Sequence, residues 1–124
     1  MTINYPELIA FDFDETIVAC NSDTYINQLA PDGSIPQEIY DQRQPDNWTG
    51  YMQNVFEYLN QCKVGESQMK KCLETMPLVD GIKELILNCR NSGPHKYELI
   101  IISDANTFFI NHFLQFHQLD RAFR

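Results

Sequence analysis

Two short, uninterrupted apolar runs, Leu8-Ile9-Ala10-Phe11 and Leu99-Ile100-Ile101-Ile102, constrain the fold more than any other feature of the chain. Each ends abruptly in carboxylate or hydroxyl side chains: Asp12-Phe13-Asp14 after the first, Ser103-Asp104 after the second. Continuous apolar runs this short suit strands buried on both faces. Two such strands with polar tips indicate a parallel α/β sheet, in which a ligand sits at the carboxyl ends of the strands.

Between the runs the pattern is helical. Ser22 to Leu29 reads as a short helix stopped by Ala30-Pro31-Asp32-Gly33, and a second short piece falls around Ile35 to Arg43. Trp48, Met52, Val55, Phe56 and Leu59 recur at helical spacing behind Asp46 or Asn47 as N-cap. Ser67 to Met76 follows, ended by Pro77, and then a stripe of Ile82, Leu85, Ile86 and Cys89 behind Asp80, with a turn at Ser92-Gly93-Pro94. After the second strand, Asn106 or Thr107 caps a helix carrying Phe109, Ile110, Phe113 and Phe116. Residues 20–77 are too many for a simple connection. They are expected to form an inserted helical cap, with residues 1–19 and 78–124 forming the core.

Composition excludes several functions. A 44% hydrophobic fraction suits a globular domain, and a formal charge of −8 argues against sequence-independent nucleic-acid binding and against a polybasic membrane contact. No apolar run approaches the about 20 residues of a membrane helix, and the start shows no secretory pattern. Cys20, Cys62, Cys72 and Cys89 lack metal-ligand spacing and are expected to be reduced thiols of a cytoplasmic protein. An acidic surface repels phosphate esters, so a phosphate site must be local, built from a metal ion and backbone donors.

The chemistry concentrates in Phe11-Asp12-Phe13-Asp14-Glu15-Thr16. Aspartates two apart on an extended segment face the same side. One carboxylate attacks phosphorus and forms an aspartyl-phosphate; the other protonates the leaving oxygen and then deprotonates water. Two close carboxylates repel, so Mg2+ is the cofactor expected to hold the site together and neutralise the phosphate. Thr16 supplies a hydroxyl or fixes the turn. Ser103, at a strand end before a helix, donates to phosphate alongside the helix amides. Asn106 reads equally well as a cap or a site residue. His95, His112 and His117 lack ligand spacing, Trp48 reads as a core anchor of the cap, and Glu15 faces solvent.

Asp12-x-Asp14-x-Thr16 with Ser103 resembles motifs one and two of the haloacid-dehalogenase superfamily. Residues 11–18 with Asn21-Ser22-Asp23, and Ile101 to Phe108, look like the phosphoethanolamine/phosphocholine phosphatase family, which includes a relative acting on pyridoxal phosphate. The resemblance implies a Rossmann-like core with a helical cap and magnesium-dependent hydrolysis of a small phosphorylated metabolite. It makes Asp12 nucleophile and metal ligand, Asp14 acid/base with its backbone carbonyl on the metal, and Ser103 a phosphate ligand. Asp23 and Asp104 are expected to face the ammonium of the substrate; Asp23 reads equally well as a helix cap. The superfamily's later lysine and acidic motifs have no counterpart here, which leaves the Rossmann-like core incomplete. The expectation is a shortened phosphatase, inactive alone, with an open edge on the first strand. The alternatives are a non-catalytic interaction module and a phosphotransferase using the same aspartate.

Overall fold

The computed structural model describes residues 4–93 and 95–124. In chain order the elements are β1 (Glu7–Phe11), α1 (Ser22–Tyr25), a 3-10 turn (Ile26–Leu29), α2 (Gln37–Asp41) and α3 (Trp48–Gln61). They continue as α4 (Glu66–Glu74), α5 (Ile82–Asn91), β2 (Tyr97–Ile101), α6 (Thr107–Phe116) and a 3-10 turn (Asp120–Ala122). The chain divides into two compact units, one of residues 1–22 with 76–124 and one of residues 23–75. Of the turn expected at Ser92-Gly93-Pro94, Gly93 takes the left-handed φ of 114° and Pro94 lies outside the described residues.

In the first unit β1 and β2 pair in parallel, from Glu7 opposite Tyr97 to Phe11 opposite Ile101. The ladder continues one step, because the Ile102 N–H donates to the Phe11 carbonyl at 2.9 Å. On the far side of β2, Phe123 bridges Leu99 in parallel and the Arg124 N–H reaches the Leu99 carbonyl. β2 therefore lies between two neighbours, and Leu99 is 3% exposed. Among the described residues β1 pairs on one edge alone. The expectation that β1 is buried on both faces fails: Leu8 is 61% exposed, and of this strand only Phe11 is buried. Burial on both faces needs a covering layer and a neighbour on each side.

The core of this unit forms around Phe13, Ile17, Val18, Ile86, Phe109, Phe113 and Leu119, each at most 1% exposed. Phe13 and Phe113 meet edge to face at 5.7 Å between ring centres, which ties the residue between the two aspartates to α6. α5 packs Ile82, Ile86 and Cys89 inward, whereas Leu85 of the same stripe is 50% exposed. Phe116, at the last position of α6, is likewise 51% exposed.

In the second unit, α3 buries Tyr51, Met52, Val55 and Leu59, and α4 buries Cys72 and Leu73. α2 contacts α3, and α4 contacts the Ile26–Leu29 turn. Asn47 caps α3 by accepting from the Gly50 N–H at 3.0 Å. A Cβ at Gly50 would sit 2.4 Å from the Asn47 side-chain nitrogen, so a larger residue there displaces the capping side chain. Trp48 is not the core anchor that its spacing suggested but is 44% exposed. Helical side chains lean back over the preceding turn, and the first residue of a helix has no such turn to cover. No disulfide joins the four cysteines.

Two consequences are measurable. Phe113→Ala is expected to cost about 3–5 kcal/mol in urea unfolding, and Phe116→Ala under about 0.5 kcal/mol, although both lie on α6. His117 packs against Phe113 with its Nε2 buried and unpartnered, and burial, then Lys83, hold its pKa below the ordinary value. The unfolded chain therefore takes up this proton first as pH falls below about 6.5, so stability drops there. His117→Leu is expected to flatten that part of the stability–pH curve.

Candidate active site

The strand register places the candidate chemistry. Phe11 is opposite Ile101, so Asp12 follows the end of one strand while Ser103 lies two residues past the end of its neighbour. Adjacent strands run about 4.8 Å apart. Both polar tips therefore emerge side by side at the same edge of the sheet.

The backbone after β1 turns sharply. The Thr16, Ile17 and Val18 N–H groups all converge on the Phe13 carbonyl, and Glu15 adopts a left-handed φ of 59°. This turn swings Phe13 into the core and leaves Asp12 exposed and Asp14 half-buried. Asp12 Oδ1 accepts from the Phe13 N–H at 2.6 Å. Asp14 Oδ1 accepts from the Ser22 N–H at 3.0 Å. Both carboxylates are thus steered by backbone amides, which act as fixed partial positive charges.

Ser22 deserves notice because no sequence signal singled it out as an anchor. It is fully buried, its Oγ has no hydrogen-bond partner, and its N–H is the donor to Asp14. It is the last residue of the first unit before the chain leaves it. The chain returns at Met76, and departing and returning segments pair: Val18 bridges Leu78, the Ala19 N–H donates to the Pro77 carbonyl, and the Val79 N–H donates to the Ile17 carbonyl. A donor on a main-chain amide is invisible to any reading of side-chain types.

On the other strand tip, Ser103 Oγ accepts from the Ala105 N–H at 3.0 Å. A hydroxyl that accepts through a lone pair keeps its proton to give. Asp104 is exposed. Asn106 is the N-cap of α6, its Oδ1 accepting from the Phe108 N–H at 2.8 Å. Thr16 is half-buried in the turn after β1. In the second unit, Asp23 does not occupy the cap position of α1 but lies within its first turn, and its Oδ2 accepts from Trp48 Nε1 at 2.7 Å.

Among the described residues no group of three or more His, Cys, Asp and Glu side chains is arranged to hold a metal. Mg2+ keeps several waters and takes one or two protein carboxylates together with substrate phosphate, so it needs fewer side chains than such a group supplies. No helix among the described residues is long and apolar enough to cross a membrane.

Residues 7–124 match the Putative Phosphatase family. The chain belongs to this family. It is 42% identical over 120 residues to pyridoxal phosphate phosphatase PHOSPHO2 of Bos taurus, covering 94% of this chain and 49% of that protein. It is 39% identical over 101 residues to the human phosphoethanolamine/phosphocholine phosphatase, covering 82% of this chain and 38% of that protein. The chain thus spans about half the length of the curated relatives it matches. Among solved structures it resembles the magnesium-bound HAD-hydrolase YfnB of Bacillus subtilis, with a TM-score of 0.57 at 16% identity, covering 97% of this chain and 63% of that one. The fold is accordingly a haloacid-dehalogenase-like one, with a Rossmann-like parallel core and an inserted helical unit.

The two roles of Asp14, anchor and chemical group, separate experimentally. Asp14→Asn keeps an oxygen to accept from Ser22, and its unfolding free energy is expected to stay within about 0.5 kcal/mol of the parent. Asp14→Ala leaves that buried N–H without an acceptor and is expected to cost about 1–3 kcal/mol by urea unfolding.

Proposed function

We propose that this chain carries the nucleophile and acid/base half of a magnesium-dependent phosphomonoesterase acting through an aspartyl-phosphate. The observation that carries this reading is the parallel register of β1 and β2, which brings the Asp12-x-Asp14 segment and Ser103 to one sheet edge. Family membership over residues 7–124 supports it.

In the first step an Asp12 carboxylate oxygen bonds to phosphorus while the ester P–O bond breaks. Asp14 gives its proton to the departing alkoxide, which leaves as the alcohol. In the second step water attacks phosphorus, Asp14 takes its proton, and the P–O bond to Asp12 breaks to release inorganic phosphate and regenerate the carboxylate. The Ser22 amide holds one oxygen of Asp14, so the other carries the proton in both directions. Ser103 and Thr16 donate hydroxyl protons to phosphate oxygens, Ser103 from the orientation fixed by Ala105. Asp12 and the backbone carbonyl of Asp14 would hold Mg2+, which would neutralise the phosphate and relieve repulsion between it and the carboxylates.

The substrate is a small phosphate monoester with a positively charged head group. The relatives' names span two kinds, pyridoxal phosphate and phosphoethanolamine or phosphocholine. An acidic side chain beside a phosphate is unfavourable unless it meets a cation, and Asp104, exposed just past the tip of β2, is the carboxylate that would face the head group.

Steady-state phosphate release by an intact enzyme that carries this segment tests the assignment. Asp12→Asn is expected to lower the rate by about three orders of magnitude or more. Asp14→Asn is expected to lose about 10²–10⁴ on an alkyl phosphate and much less on p-nitrophenyl phosphate, whose leaving group departs without a proton. Equal losses on both substrates contradict the acid role of Asp14.

A further inference from the structure

We infer that the cavity between the end of α5 and the Asp120–Ala122 turn binds inorganic phosphate, with Arg90 and Arg121 as its cationic forks and Asp120 as acceptor for the proton that phosphate retains. The site lies wholly within the first unit and uses none of the catalytic candidates, so it does not depend on the phosphomonoesterase reading.

The cavity measures about 470 Å³, and its wall carries Arg90, Asn91, Gln118, Asp120 and Arg121. α5 ends at Asn91 and a short turn leads into β2 at Tyr97. The cavity therefore sits by the amino end of the sheet, opposite the tips that carry Asp12 and Ser103. Its frame is fixed by packing: α5 and α6 both contact the 120–122 turn, and Leu119 just before that turn is fully buried. α6 ends in a Schellman motif, with the Leu119 N–H on the Leu114 carbonyl and the Gln118 N–H on the Gln115 carbonyl. Gln118 takes the left-handed φ of 59° there, a position usually given to glycine, and so brings an amide side chain to the cavity wall.

The charges argue for an anion. The chain has 9 Lys and Arg against 17 Asp and Glu, yet two arginines share this one cavity. The carboxyl end of α5 favours one cation in its last turn, Arg90, and gives no reason for a second. Arg90 Nη1 donates to the Arg121 carbonyl, which holds one guanidinium on the backbone of the residue that carries the other. Among the described residues neither guanidinium has a carboxylate at ion-pair distance. Two like charges held together repel, and an oxyanion between them removes the repulsion. A guanidinium has five N–H donors in a planar fork that matches phosphate oxygens, and Arg90 spends one of them on the carbonyl.

Asp120 decides which oxyanion is accepted. One carboxylate against two guanidiniums leaves the cavity positive, but it repels an anion that has no proton to give. Inorganic phosphate near neutral pH is largely the monohydrogen form, with two negative charges and one P–O–H group. That hydroxyl donates to Asp120, while the remaining oxygens accept from the guanidiniums and from the side-chain amides of Asn91 and Gln118. Sulfate has the same shape and charge but no proton, so against Asp120 its repulsion stands unrelieved.

The test titrates the protein, without Mg2+ and near neutral pH, with sodium phosphate and with sodium sulfate at constant ionic strength. Calorimetry gives affinity, and NMR of the arginine Nε–H groups gives location. Phosphate is expected to bind saturably and shift the Arg90 and Arg121 signals, and sulfate to bind at least about tenfold more weakly. Arg121→Gln keeps the backbone carbonyl that holds Arg90, and it is expected to weaken phosphate about tenfold with unfolding in urea unchanged. Asp120→Asn is expected to close the gap between the two anions. Ser103→Ala, at the opposite end of the sheet, is expected to leave phosphate affinity as it was. No saturable phosphate binding, sulfate bound as tightly as phosphate by the parent protein, or unchanged affinity in Arg121→Gln overturns the inference. Phosphate binding that is lost in Ser103→Ala overturns it too, because the anion then sits at the strand tips.

Discussion

The parallel pairing of β1 with β2 is the interaction from which the candidate chemistry follows. Antiparallel strands would put their carboxyl ends at opposite edges of a sheet. Parallel strands in this register put Asp12 and Ser103 at the same one, about a strand's width apart. The pairing is held by backbone hydrogen bonds and by Leu99 and Phe11 facing the core, while the Phe13–Phe113 contact ties the segment between the aspartates to α6. A one-residue slip of register would exchange the faces of β1 and carry Phe13 out of the core.

Electrostatics at this edge are local. A chain of net charge −8 offers no long-range attraction to a phosphate ester. What it offers instead are oriented donors within a few ångströms: the Phe13 and Ser22 amides on the two carboxylates and the Ala105 amide on Ser103. Such groups are fixed by the fold before a substrate arrives and need no reorganisation during the reaction. The Asp14–Ser22 bond lies where the chain departs for the helical unit, beside the paired segments at Ile17–Ala19 and Pro77–Val79.

Much of this was legible in the sequence. The two apolar runs marked both strands, helical spacing marked α3, α5 and α6, and Asn47 and Asn106 were readable as caps. Periodicity reports which residues share a face, not how completely a neighbour covers that face. Leu8, Leu85 and Phe116 fit apolar patterns and are nevertheless exposed, because among the described residues β1 has one paired edge and the two helices bury narrower stripes than their composition allows. Trp48 was misjudged for a related reason, its place at the first position of α3. At the site, carboxylate and hydroxyl side chains could be nominated from motif spacing, but the Ser22 amide could not. The Trp48–Asp23 bond joins residues 25 apart in the chain and required coordinates.

The assignment of Asp12 as nucleophile stands or falls on a covalent intermediate. Acyl phosphates are reduced by borohydride, which converts the aspartate that carried the phosphoryl group to homoserine. The protein, turning over p-nitrophenyl phosphate with Mg2+, is quenched with borohydride and its peptides are sequenced by mass spectrometry. The expected result is homoserine at position 12, dependent on both substrate and Mg2+. Sustained turnover with unmodified aspartate at position 12, or homoserine at another position, would contradict it.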